Sequence, residues 1–564
     1  MAFFLKINEQ KNRTYIAIYE SFYSHKKKGT AHRCYKSLQS VETQIKKGIK
    51  DPISHFQNEV DKLNKEKSEL GIEKITNTPP FYYLGYFPLK IILDKLKVKN
   101  VIDLFSLTNN FEYNLYDLMA SLIFARSINP CSKHRTFHEV IPNLFHSYNY
   151  SYDQLLDGLS FIGDSYKKFI ELFTLNTKTI YGLNTEKTYF DCTNFYFEID
   201  RSDDFRKNGP SKENRRSPLV GMGLLLDANQ IPIGMKLYPG NESEQPVIRD
   251  TINSLKKQNC ITGRTIQVAD KGLNSAKNIA NAKKNGDGYI FSKSVKKLPK
   301  IELDWILLEN DYQEVKDSSG ATLYRYKSCV DKFPYKVIHK EKESVTMFKE
   351  KRLITYNPTL ASKKKYEINK MIEKASNLTL SQAKKNEYGD SAKYVNFTDE
   401  KGKKANAILN EKAIEIDLKL AGYNLLITSE VDMTDIEIYN AYHNLWRIEE
   451  SFKIMKSDLD ARPAYVQKES TIKGHFLICY LTVLLERIFQ VHVLENEYST
   501  SEIFRFIKGF KVTKTKNNCI NTTRASKFAS ALSEKFNLPL DHLYLSQTQI
   551  KSIFNYKLKG NTKG

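Results

Sequence analysis

Between residues 187 and 293 the chain strings together apolar runs whose order restricts the fold more than any other feature. KTYFDCTNFYFEI (187–199), PLVGMGLLLD (218–227) and IPIGMKLYPG (231–240) predict three successive strands, joined by turns near 201–217 and 228–230. VIRDTINSLKK (247–257) predicts a helix and RTIQVAD (264–270) a buried strand. NSAKNIANAKKNG (274–286) then predicts a helix closing on glycine, and GYIFSK (288–293) a further strand. The first strand carries an anomaly. Asp191 sits between Phe190 and the aromatic run Phe195, Tyr196 and Phe197. A carboxylate in so apolar a strand is costly unless an arginine, a lysine or a metal ion meets it.

Three antiparallel strands followed by helix, strand, helix and strand is the element order of an RNase H-like α/β sheet. The expected architecture is therefore multidomain α/β, with an RNase H-like (retroviral-integrase-like) catalytic core interrupted by a β-rich insertion. A small N-terminal β unit and helical regions flank that core. Residues 1–80 read as the β unit plus a linker helix, with strand TYIAIYESF (14–22), basic turn KKKGT (26–30) and candidate DNA-binding character. Residues 81–184 read as helical. The core occupies 185–293 and 420–490, around an insertion at 294–419 with short strands at 322–330 and 349–356 and a basic helix at 362–375. Residues 491–564 read as helical and basic, with a loop-like stretch at 511–523.

Asp270 ends the fourth strand of the core. If that strand lies beside the first, Asp191 and Asp270 approach each other, and like charges so placed leave one protonated or a divalent cation between them. Oxygen-only ligands suit Mg²⁺ or Mn²⁺ rather than zinc. A third carboxylate is expected from the helix after strand AGYNLLITS (421–429), a long helix from about Asp435 to Leu459. With Tyr442 at zero and about 100° per residue, Leu445, Ile448, Phe452, Met455 and Leu459 share one apolar face. Tyr442, Glu449, Lys453 and Lys456 form a stripe along its border, whereas Glu450 turns further toward solvent. Glu449 is the expected third acid.

Lys plus Arg number 87 against 65 Asp plus Glu, a net charge of +22, which favours a polyanionic partner such as nucleic acid. The longest apolar run, FLICYLTVLL (476–485), is too short to span a bilayer and reads as a core helix, so no membrane association is expected. Seven scattered cysteines without a C-x-x-C pair suit a reducing cytoplasm.

These residues resemble the DDE transposases of bacterial insertion sequences, in the group with a Tyr-x2-Arg-x3-Glu-x6-Lys signature. Tyr442, Glu449 and Lys456 match that signature, and WRIEESFK (446–453) matches the surrounding run. At the arginine position stands Leu445, with Arg447 two residues later. DCTN (191–194), GPSKENRR (209–216), PGNESE (239–244), DKG (270–272) and RPAYVQKESTIKGHFLICYL (462–481) are also family-like. The resemblance implies that Asp191, Asp270 and Glu449 hold two Mg²⁺ (or Mn²⁺) ions and cleave DNA at transposon ends. The freed 3′-hydroxyl ends would then join target DNA. It implies double-stranded DNA as partner, a homodimer on that DNA and a nucleoid-associated location in a bacterial cytoplasm. Lys453, Lys456 and Arg447 would hold phosphates. Tyr442 would stack on a base or bond a phosphate, and Trp446 would serve as a base platform or as packing. Lys212, Arg215 and Arg216 would contact DNA from the turn between the first two strands. Two rivals share much of this pattern: an RNase H-like nuclease without strand transfer, and a catalytically silent DNA-binding protein.

Overall fold

The computed structural model describes residues 2–11, 13–24, 29–69, 81–210, 217–339, 342–377, 389–398, 404–515 and 518–558. The chain divides into two units, Met1–Pro79 and Pro80–Gly564. In the first, β1 (Phe3–Gln10), β2 (Arg13–Ser24) and β3 (Gly29–Ser40) form an antiparallel sheet in that order. Alternation along β2 turns Ile16 and Ile18 to one face, where Leu38, Phe56 and Val60 close a small core under the helix Pro52–Glu69. That helix begins where Asp51 accepts the Ser54 N–H at 3.1 Å, and Asn64 ties it to β1 through both backbone groups of Phe3. Lys26–Lys28 of the expected basic turn lie outside the described residues.

The second unit begins with β4 (Phe81–Tyr83) and continues through a helical layer. The helices Leu115–Ile128 and Tyr152–Asp164 pack against Glu469–Ile488, which is buried along nearly its whole length. Two glycines make that contact close. A Cβ on Gly163 would run into the Ser470 carbonyl, and one on Gly474 into the carbonyl of Leu159. The stretch Glu469–Val493 has the length and hydropathy of a membrane span, but 89% of its apolar window is buried inside the protein, as a core helix requires.

Against this layer lies a nine-stranded mixed sheet. It contains β5 (Lys187–Tyr196), β6 (Leu219–Leu226), β7 (Pro232–Pro239), β8 (Ile266–Ala269) and β9 (Gly288–Lys293). It is extended by β10 (Gln313–Lys316), β11 (Thr322–His339) and β12 (Lys342–Tyr356). β13 (Val395–Thr398) and β14 (Lys404–Leu409) pair separately, and β15 (Tyr423–Thr428) returns to the large sheet. The order is β10-β11-β12-β15-β9-β8-β5-β6-β7. β5 runs antiparallel to β6 and parallel to β8, the neighbour that the element order suggested. Asp227, fully buried at the end of β6, accepts the backbone N–H groups of Asn184 and Ile231 and so pins the entry to β5. Burial lifts its carboxyl to about 7.

Three expectations need correction. The insertion strands are long rather than short, and they join the core sheet: β12 pairs with β15, so the insertion continues the same ladder. The expected helix from Asp435 to Leu459 is three pieces, Asp435–His443, Trp446–Lys453 and a π-helical turn Ile454–Asp458. The basic stretch 511–523, expected to be loop-like, contains two strands among its described residues. Lys511–Lys514 pairs with β4 and with Cys519–Asn521, because Val512 and Cys519 are buried there.

Candidate active site

The last residue pair shared by β5 and β8 is Phe190 with Ala269. Asp191 and Asp270 are the next residue on each strand, so they occupy neighbouring positions where two parallel strands about 4.8 Å apart end their pairing. β8 stops there while β5 continues. Asp191 therefore borders a notch at the carboxyl end of β8 and is half-buried rather than sealed in the core. Its aromatic surroundings divide by alternation. Tyr189 and Phe195, on the Asp191 face, join the core shared with the helical layer, and Phe190 and Cys192 join the core behind the sheet. Val268 belongs to the helical-layer core as well, so the extended backbone at Asp270 places it on the same face as Asp191.

Tyr442 reaches this pair. Its hydroxyl donates to Asp270 Oδ1 at 2.9 Å and also meets the Ser292 side chain. Burial, and then the charge of Asp270, push its phenol well above the usual range, with Asp191 close enough to add to the effect. The hydroxyl is thus held as a permanent donor to a carboxylate. A cavity of about 440 Å³ begins at the same place, lined by Lys271, Ser292, Lys293, Lys296, Lys363 and Asn424 among others.

Glu449 lies on the helix Trp446–Lys453, which packs on β5 and β6 through Ile448 and Phe452. Glu449 is exposed and makes no hydrogen bond or ion pair with another described residue. Glu450 is the more buried of the two, contrary to the wheel reading. It accepts from Arg487 Nη2 at 2.7 Å, and Arg487 is fully buried. The break at Asn444 and Leu445 separates Tyr442 from Glu449, so the two are not on one straight stripe. Among the described residues, no three His, Cys, Asp or Glu side chains stand together as a metal-binding group. Asp191 and Asp270 thus sit at adjacent positions on the sheet, and Glu449 is exposed on the neighbouring helix. The pair alone fits a hard divalent cation, since it offers only carboxylate oxygens.

The remaining expected contacts fall in different settings. Lys453 is exposed, and Lys456 on the π-helical turn is half-buried with its ammonium 5.7 Å from the Phe195 ring centre. Trp446 is 48% exposed, and the Arg447 guanidinium lies 3.8 Å from its ring centre. Arg447 also donates to Glu450 at 3.5 Å, so its plane is occupied within the protein. Lys212, Arg215 and Arg216 lie outside the described residues. One residue was not singled out from sequence. Glu244, in the PGNESE loop, has its Oε2 3.8 Å from the position of a Cβ on Gly272, two residues past Asp270. It also acts, with Cys192 and Asp191, on the buried Tyr238 hydroxyl, whose pKa is raised chiefly by burial. The loop motif was the available signal, but only the folded chain brings it beside the DKG turn.

A family model described as the transposase DDE domain matches residues 190–485, just over half of the 564 residues. The matched span runs from β5 to the buried helix and contains Asp191, Asp270 and Glu449. No curated protein matches the chain.

Proposed function

The chain belongs to the transposase DDE-domain family, and from that premise we propose that it cuts DNA at the ends of an insertion sequence and joins those ends to a target duplex. One observation carries the reading: Asp191 and Asp270 occupy neighbouring positions where parallel β5 and β8 stop pairing, on the sheet face where Tyr442 binds Asp270. Oxygen-only acids at the carboxyl edge of an RNase H-like core are the chemistry that phosphodiester cleavage needs. Asp191, Asp270 and Glu449 would hold two Mg²⁺ or Mn²⁺ ions, which when bound lower the pKa of water and neutralise charge on the phosphodiester.

The protein's own side chains set the geometry. Tyr442 donates to Oδ1 of Asp270 and so orients the carboxylate that would hold a cation. Glu449, on the helix packed against β5 and β6, would complete the acidic set. Lys453 and Lys456 hold the flanking phosphates as point charges, and Lys271 and Lys293 on the cavity wall beside Asp270 extend the positive charge, while Lys296 there is paired with Asp417. Hydrolysis breaks one P–O3′ bond, leaving a 3′-hydroxyl and a 5′-phosphate. Joining then exchanges one phosphodiester for another, so it requires no external energy source. A homodimer would hold the two ends together.

The test uses the purified full chain, a labelled duplex carrying an end of the element, a plasmid target, and Mg²⁺ present or absent. Metal-dependent cleavage and joining, both lost in Asp191→Asn and Asp270→Asn, is the expected result. Cleavage without joining would favour a nuclease. Unchanged activity in Asp191→Asn would overturn the assignment, and binding without any cleavage would favour a silent DNA-binding protein.

A further inference from the structure

The N-terminal sheet has two unlike faces. One is covered by the helix Pro52–Glu69. Register and alternation assign to the other Phe4, Lys6, Asn8 and Gln10 of β1, then Arg13, Tyr15, Tyr19 and Ser21 of β2, with His32, Cys34 and Ser37 of β3. Side-chain contacts confirm the shared face. Lys6 Nζ lies 4.8 Å from the Tyr19 ring centre, the Phe4 and His32 rings are 5.1 Å apart, and Ser21 Oγ is 3.2 Å from His32 Nδ1.

Charge is segregated between the faces. The strands contain two carboxylates, Glu9 and Glu20, and both fall on the helix side, where Glu20 pairs with Arg33 at 2.6 Å. Lys36 on that side is likewise neutralised, by Glu59 of the helix at 2.7 Å. The opposite face carries Lys6 and Arg13 with no carboxylate from the strands, and Lys6, Asn8, Gln10 and Arg13 are all exposed. Such a face attracts a polyanion.

Its side chains also suit one form of polyanion. Asn and Gln present paired donor and acceptor groups to adenine edges, and Arg to guanine edges, in the major groove. β1 and β3 lie about 10 Å apart, two strand spacings, against a groove about 12 Å wide. Phe4 and Tyr19 are engaged with His32 and Lys6, leaving the amides of Asn8 and Gln10, with the exposed Arg13 guanidinium near Glu42, to address base edges. We infer that the face of the N-terminal sheet turned away from the helix is a major-groove reader of duplex DNA, with Asn8, Gln10 and Arg13 contacting bases and Lys6 the backbone. The inference rests on the transposase reading for one point, that the natural duplex is the end of the element.

Cys34 supplies a direct probe, because it lies on this face opposite Tyr19 and is exposed, while the other six cysteines are partly or fully buried. In the full chain, alkylation of Cys34 by N-ethylmaleimide is followed by peptide mass spectrometry, with no DNA, with a duplex of the element's end, with a scrambled duplex, or with a single strand. The expected result is at least about tenfold slower labelling with the end duplex and weaker protection by the scrambled one. Asn8→Ala and Arg13→Ala each weaken binding of the end duplex about tenfold or more, bringing it toward the scrambled duplex. Lys62→Ala, an exposed cation on the helix, leaves that discrimination intact. These side chains are exposed, so circular dichroism and melting temperature stay as in the parent. Unprotected Cys34 at saturating duplex would overturn the inference, as would protection by single strands alone or equal losses on both duplexes. Cys34 protection requires no cleavage and cleavage requires no Cys34 protection, so the two readings fail separately.

Discussion

Tyr442→Phe removes one oxygen from the candidate site and leaves the ring in place. The lost contact is a 2.9 Å hydrogen bond to Asp270 Oδ1, donated from a largely buried phenol. A hydrogen bond to a charged group contributes about 1.5–3 kcal/mol, which if expressed wholly in the transition state corresponds to a cleavage rate roughly 10- to 100-fold lower. Asp270 is half-exposed, so water replaces part of the bond in the resting protein, and the melting temperature should fall by about 2 °C or less. Single-turnover cleavage of a labelled end duplex at saturating DNA, over a Mg²⁺ titration, reads the effect. The expected pattern is a lower maximal rate with unchanged DNA affinity, since the group touches Asp270 and not the duplex. Burial and Asp270 hold the phenol above its ordinary range, so it stays protonated and the ratio of parent to variant rate stays flat from about pH 7 to about pH 10. A variant within about twofold of the parent across the titration would refute the positioning role.

Three further outcomes follow from the packing. Glu449→Ala should abolish cleavage with no change in melting temperature, whereas Glu450→Ala should cost about 3 kcal/mol in denaturant unfolding, because it strips the buried Arg487 of its 2.7 Å partner. If the two variants exchange phenotypes, the assignment of Glu449 is wrong. Gly163→Ala forces a methyl group into the Ser470 carbonyl and should destabilise the unit by about 3 kcal/mol; a neutral result by thermal melting would show that the two helices separate without cost. Lys133 is buried beside His475 at 3.3 Å, and burial, then the Arg126 charge, lower its pKa to about 7. The unfolded chain then binds one more proton between about pH 7 and about pH 10.5, so stability rises with pH across that window and the burial penalty is full below it. Lys133→Met should therefore raise the melting temperature most near pH 6 and least near pH 10, and the opposite trend would refute the assignment.

Much of the candidate site was legible as local pattern. The apolar runs of β5, β6, β7, β8 and β9 stand between turn residues, and their order suggested β5 beside β8, which the folded sheet has. Asp191 was conspicuous because a carboxylate among Phe190, Phe195 and Phe197 contradicts the strand around it. The apolar face of the later helix was readable too, since Ile448, Phe452, Met455 and Leu459 are all buried. The rest of that helix was not. A wheel assumes unbroken 3.6-residue turns, but the chain breaks at Asn444–Leu445, between Tyr442 and Glu449, and turns π-helical from Ile454. The joining of β12 to β15 was equally out of reach, because strand runs declare their alternation but not their neighbour across the ladder.

Chain pattern alone thus located most core strands and helices, and the residues at odds with an apolar setting, because those preferences act within a few residues. It could not say that Tyr442 donates a hydrogen bond to Asp270, 172 residues away, or that Glu450 neutralises Arg487 while Glu449 is left to solvent. Those pairings exist because packing on the sheet brings remote side chains within hydrogen-bond reach, and a charge chooses its partner by distance in space, whatever the separation along the chain.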